Sequence, residues 1–149
     1  MLILLTTGMA TVGLLLLTNM PLAQQPKGCP NPGICDPLQF DEYHKLSWTD
    51  EKVRLNNAAT HLRQADGDVL YIVAYGGREA CVGEAIARNR RAKRYLVRTR
   101  GLSAEHVVTV DGGYRNEATV EIWFGPPTPG WAFANPTLDK REVHLKQCR

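Results

Sequence analysis

At 149 residues, 44% of them hydrophobic, the chain has the length and apolar content of one ordinary domain with a single core, and it shows no internal repeat. The formal charge of +3 is too small for a uniformly basic polyelectrolyte, so the location of the charge matters more than its sum.

Residues 1–23 are almost all apolar or small, with runs at Met1 to Leu5 and Val12 to Leu17, and Pro21-Leu22-Ala23 leads into a polar segment. This is the pattern of a signal peptide, so export is expected; contact with a membrane is expected only if the leader stays uncleaved as an anchor. Residues 24–37 are dense in Pro, Gly and Asn and read as a linker or a disulfide-held loop. Beyond the leader stand Cys29, Cys35, Cys81 and Cys148, an even number that in an oxidising compartment predicts two disulfides. Three pairings are open, and bridges tying the turn-rich termini to the folded unit are favoured. The spacing Cys29-x5-Cys35 and the isolated Cys81 match no compact zinc pattern.

The folded unit is expected over residues 38–124. Leu38 to Tyr43 alternates weakly, as an edge strand would. Ser47 to Glu51 supplies hydroxyl and acidic groups for a helix start. Leu55, Ala58, Ala59 and Leu62 then form one apolar face, and Asp66-Gly67-Asp68 marks the end. Val69 to Tyr75, rich in Val, Ile and Tyr, predicts a central buried strand. A basic helix follows from Gly83 to Thr99. At 100° per residue Ala85, Asn89, Ala92, Leu96 and Thr99 share one narrow face, and Arg90, Arg91, Arg94 and Arg98 fall roughly opposite. Arg88 projects at the margin of the buried stripe, between Ala92 and Tyr95. Gly101 stops the helix. His106 to Val110 reads as a third strand, Asp111 to Tyr114 as a turn, and Ala118 to Phe124 as a fourth strand with Val120, Ile122 and Phe124 alternating against Glu121 and Trp123. Residues 125–149 form a Pro/Gly-rich tail, with Trp131 as a candidate contact and Glu142 to Cys148 as a candidate short strand. The order βαβαββ predicts a two-layer α/β sandwich.

Four stretches carry a likeness: Phe40-Asp41, the strand Tyr71 to Tyr75, the run Arg88 to Leu96 with Arg100-Gly101-Leu102 behind it, and Gly112-Gly113-Tyr114 ahead of Val120-Glu121-Ile122. Together, over residues 38–124, they resemble the C-terminal domain of the outer-membrane protein A (OmpA-like) family. That resemblance implies a periplasmic or outer-membrane-associated module binding the free carboxylate of the peptidoglycan stem peptide, with an aspartate just after the second strand and an arginine on the second helix. Matching Tyr95-Leu96 to the family's Tyr-Leu pair puts the arginine on Arg88, where a planar guanidinium can hold a carboxylate through two parallel bonds. This chain departs from the family in having Gly76-Gly77-Arg78 where the aspartate belongs, and Ala118-Thr119 in place of a later arginine pair. The expected site is therefore an anion site: Arg88 and Arg78 face a carboxylate or phosphate of peptidoglycan or another anionic envelope polymer. The backbone of Gly76 and Gly77 allows close approach, and Tyr75 or Tyr114 stands beside it. The alternative is a scaffold or protein-interaction domain in which the two glycines make a turn and the arginines solvate a helix.

Other chemistries find less in the sequence. The arginine stripe could neutralise nucleic-acid phosphates, but export removes the chain from nucleic acid and no aromatic platform is interleaved with it. The four histidines are scattered, no Gly-x-Ser-x-Gly occurs, and a thiol nucleophile at Cys81 with His106 is less expected than a disulfide. A non-catalytic protein without cofactor or metal is the expectation.

Overall fold

The structure, a computed structural model, describes residues 37–65, 67–127 and 134–148. The expected leader, the linker with Cys29 and Cys35, and the contact at Trp131 lie outside these residues.

The elements run β1 (Leu38–His44), α1 (Trp48–Leu62), β2 (Val69–Gly76), α2 (Glu84–Arg98), β3 (Val107–Tyr114) and β4 (Thr119–Gly125). The protein is mixed α/β, with two helices over one four-stranded sheet ordered β1-β4-β2-β3. β2 and β3 are parallel, as a crossover through α2 requires, and β4 is antiparallel to both its neighbours, β1 and β2.

β2 is buried along its whole length because it has a strand on either side and cover on both faces. Leu70, Ile72 and Ala74 meet the helices, joined by Val107, Val120, Ile122 and Phe124 from the other strands and by Leu55, Ala58, Ala59, Leu62, Ala92 and Leu96 from above. Val69, Tyr71, Val73 and Tyr75 form a smaller cluster on the opposite face, against Val108, Val110 and Trp123. The two-residue alternation of a strand thus feeds two separate cores.

β1 is an edge strand, as its weak alternation predicts. Its register slips between Gln39 and Asp41, so Phe40 is an extra residue and both Phe40 and Tyr43 can turn towards the helices. α1 begins where expected: the Ser47 side chain accepts from the Asp50 N–H at 3.2 Å. It ends at Leu62, earlier than the expected stop at residues 66–68.

α2 buries Ala85, Asn89, Ala92 and Leu96. Thr99, expected on the same face, is instead the exposed C-cap, because the helix has already ended. Gly101 adopts φ +70° and lets Leu102 N–H return to the Leu96 carbonyl at 3.1 Å, a glycine-terminated helix end. The expected turn at Asp111 to Tyr114 is part of β3. The strand continues through Gly112 because a Cβ there would lie 2.5 Å from the Tyr75 ring, so only glycine lets the two strands close over that side chain. The chain reverses one step later, and His106 belongs to a short 3-10 turn rather than to the strand.

The tail is fastened to the unit. Cys148 is disulfide-bonded to Cys81, and Lys146 bridges Cys81 in parallel: Lys146 N–H donates to Ala80 O at 2.9 Å and Val82 N–H to Lys146 O at 3.0 Å. This is one of the bridges expected to tie a terminus to the fold. It also removes Cys81 from any thiol chemistry. In place of a strand over residues 142–148, the tail makes a 3-10 turn at Lys140–Glu142 and the isolated bridge at Lys146. Among the described residues no helix is long and apolar enough to cross a membrane.

Candidate anion site

α2 offers two flanks. One faces α1: Arg91 Nη2 reaches Glu51 Oε2 on α1 at 2.5 Å, and Tyr95 OH donates to Asn56 Oδ1 at 2.7 Å. Arg88 belongs to this flank. Its side chain is only 10% exposed, so it lies at the margin of the core as the helical spacing predicts, and it does not extend into water. Among the described residues the guanidinium Nη1 is buried without a hydrogen-bond partner. Its Nη2 lies 3.9 Å from Glu84 Oε1, close enough for attraction and too far for a hydrogen bond. Glu84 is itself engaged, since its Oε2 accepts from Cys81 N–H at 3.2 Å.

The surroundings are polar and enclosed. Glu51 is buried at the N-terminal end of α1, where an acidic group suits the helix dipole, and it accepts from Tyr43 OH at 3.3 Å besides Arg91. Burial first, and then the charge and hydrogen bond of Glu51, push the Tyr43 phenol up beyond its ordinary range, while the charge of Arg88 pulls it down. Arg88 and Arg91 thus bring two guanidinium groups to the neighbourhood of one buried carboxylate. Of these two guanidinium groups, Arg91 is the one that bonds Glu51. Arg91, placed by its helical angle on the solvent face, instead folds over the Trp48 ring with its carbon 4.5 Å from the ring centre. Stacking on an aromatic face and pairing with a buried acid outweigh the preference of a long side chain for water.

The other expected ligand residues do not assemble around Arg88. Tyr75 points to the opposite face of the sheet. There its hydroxyl donates to Glu121 Oε2 at 3.0 Å and accepts from Asn135 N–H at 3.1 Å, and the Arg115 guanidinium lies 3.7 Å above its ring. Arg78 bonds Asn116 Oδ1 at 3.0 Å and leans on the tail. Gly76 and Gly77 are buried by packing: a Cβ on Gly76 would lie 3.0 Å from the Tyr114 ring, and one on Gly77 3.0 Å from the Ala118 nitrogen. Their backbone closes against the β3–β4 turn instead of opening to a ligand. Gly76 and Tyr114 do come together, at a notch of about 20 Å³ beside Glu84 and Gly83, room for one water.

Sequence reasoning missed Arg115 and Glu121. Glu121, expected on the outer face of β4, is 4% exposed and receives Arg115 Nη2 at 2.6 Å, Trp123 Nε1 at 3.1 Å and the Tyr75 hydroxyl. The signal in the sequence was a carboxylate flanked by Val120 and Ile122 in the run Val120 to Phe124, whose other residues are apolar or aromatic. Trp123 is its neighbour at i+2 on the same strand, but Arg115 comes from the turn after β3 and Tyr75 from β2, and spacing alone cannot pair those with it.

The fold is mixed α/β, two helices with a four-stranded mixed sheet, and the Arg88 guanidinium lies mostly buried on the flank of the second helix. Comparisons with protein-family models, with curated proteins and with solved structures find no match.

Proposed function

We propose that this protein is an exported, non-catalytic binding module of the cell envelope, related in fold to the OmpA-like family, that recognises a carboxylate or other anionic group of peptidoglycan or an anionic wall polymer through Arg88. The observation that carries this reading is the buried Arg88 Nη1 without a partner, beside a Glu84 oxygen at 3.9 Å that leaves the guanidinium fork unfilled. A buried donor left unsatisfied costs about 1–3 kcal/mol, and a bound anionic group would remove that cost. A carboxylate fits because it accepts two parallel N–H bonds and brings the compensating charge. With Gly76 and Gly77 closed and Arg78 engaged elsewhere, the ligand is held by Arg88 and its α1-side neighbours rather than by the loop after β2. That closure is also the feature favouring the alternative, a scaffold with no small-molecule site.

Sedimentation with purified peptidoglycan separates the two. Parent protein should co-sediment, Arg88→Ala should lose about tenfold in affinity, and Arg88→Lys, which keeps the charge and loses the fork, should lose nearly as much. Co-sedimentation indifferent to both substitutions, with unchanged circular dichroism, would leave the scaffold.

A further inference from the structure

The second flank of α2, turned away from α1, carries a separate feature. Between α2 and β3 runs an open groove of about 560 Å³, lined by Arg90, Lys93, Arg94 and Arg98 from the helix and by Asp111 from β3. None of the four cations takes part in an ion pair among the described residues, so four positive groups face one carboxylate. β3 is the outermost strand, paired with β2 on one side, and the long edge of a strand is a template for another extended chain. The protein itself makes a short use of it: at Tyr114 the tail residue Leu138 forms an antiparallel bridge.

From this geometry we infer that the α2–β3 groove binds an acidic polypeptide segment in extended conformation, added along β3, with acidic side chains at alternate positions directed to the arginine row. Three observations select that occupant. Charge complementarity requires an anionic partner. The spacing requires a periodic one: Arg90, Arg94 and Arg98 are four residues apart, a rise of about 6 Å per step, and same-side residues of a strand repeat at about 6.8 Å, so three successive alternate acids can meet three arginines. Finally, the groove needs a donor as well as acceptors. Asn89, 4% exposed and part of the lining, donates Nδ2 to the β3 carbonyl of Val110 at 2.7 Å and keeps a buried Oδ1 without a partner among the described residues. A peptide brings backbone N–H groups that can satisfy it, whereas an ionised polyphosphate brings acceptors only. The inference goes beyond the Arg88 reading and is independent of it, because Arg88 lies on the α1-side flank.

The test is fluorescence anisotropy of the purified full chain with three labelled twelve-residue peptides: alternating Thr-Glu, the same composition with the glutamates in one block, and alternating Thr-Glu N-methylated at every other residue. The alternating peptide should bind with strong salt dependence, the blocked peptide and the N-methylated one about tenfold more weakly. Arg94→Ser/Arg98→Ser should lose about tenfold for the alternating peptide, whereas Arg141→Ser, at an exposed tail cation outside the groove, should not change it. Equal binding of all three peptides, or tighter binding of polyphosphate or of phosphatidylglycerol vesicles than of the alternating peptide, would overturn the inference in favour of an unspecific polyanion surface. No binding of any peptide would overturn it outright. The arginines are surface residues, and circular dichroism of the double variant verifies that the fold is intact.

Discussion

Replacing Arg88 by methionine separates a guanidinium kept for a ligand from one kept for the fold. Methionine fills a similar space, lacks polar hydrogens and adapts its shape to an irregular gap. Removing a buried, unsatisfied Nη1 should return about 1–3 kcal/mol. Against this stand the loss of the i,i+4 attraction to Glu84, a few tenths of a kcal/mol at a separation of 3.9 Å, and the loss of a positive charge near the buried Glu51–Tyr43 pair, whose phenol feels Arg88. Arg91 still bonds Glu51 directly, so that acid does not lose its partner. The net expectation is a gain at the low end, about 1 kcal/mol, together with loss of wall binding, the usual exchange between stability and a site held ready for a ligand. Urea unfolding followed by far-ultraviolet circular dichroism measures it as a higher midpoint at unchanged slope, and a thermal scan as a rise of roughly 4 °C. A variant less stable than the parent by 1 kcal/mol or more would refute the reasoning, because Arg88 would then be a structural partner of Glu51.

The buried network on the other face should behave in the opposite way. Glu121→Ala strips the carboxylate from Arg115, Tyr75 and Trp123 at once and should cost about 3–5 kcal/mol in urea unfolding, the range for breaking a buried pair from one side. Gly112→Ala drives a methyl group to 2.5 Å from the Tyr75 ring and should lower the melting temperature strongly; an unchanged value would mean that β3 relaxes freely there. Burial raises the phenols of Tyr43, Tyr71 and Tyr75 above the ordinary 10.0, so the fold favours their neutral forms. That stability is complete below pH 10 and is lost as pH rises towards the folded values, and absorbance at 295 nm should show these three phenols ionising above pH 10 or together with unfolding. At the tail, Lys146 first and His144 to a lesser degree hold exposed Glu79 below its ordinary 4.5, so this contact strengthens the fold above pH 4.5 and fades as pH falls through the lower folded value. Reduction of the Cys81–Cys148 bridge, which spans 67 residues of sequence, should expose the tail to trypsin at Lys140 and Arg141 before the sheet unfolds, seen as early loss of a C-terminal fragment.

The periodic parts of this protein were legible in its sequence. Leu55, Ala58, Ala59 and Leu62 at helical spacing, the β-branched run of β2 and the alternation of β4 each declare a local geometry, because burying a face requires the repeat of the element that carries it. The marginal position of Arg88 followed from the same angular argument. Tertiary structure decided everything that depends on which element arrives opposite. Asp111 to Tyr114 has turn residues and is a strand, because the Tyr75 ring needs a glycine beneath it. Gly76 and Gly77 look like an approach route for a ligand and are closed by Tyr114 and Ala118. Arg91 has a solvent-facing angle and finds Glu51, and Glu121 has an outward register and collects three donors. Spacing along the chain specifies a direction for each side chain, but a long charged group reaches several ångströms from its backbone, so its partner is chosen by packing between elements distant in sequence.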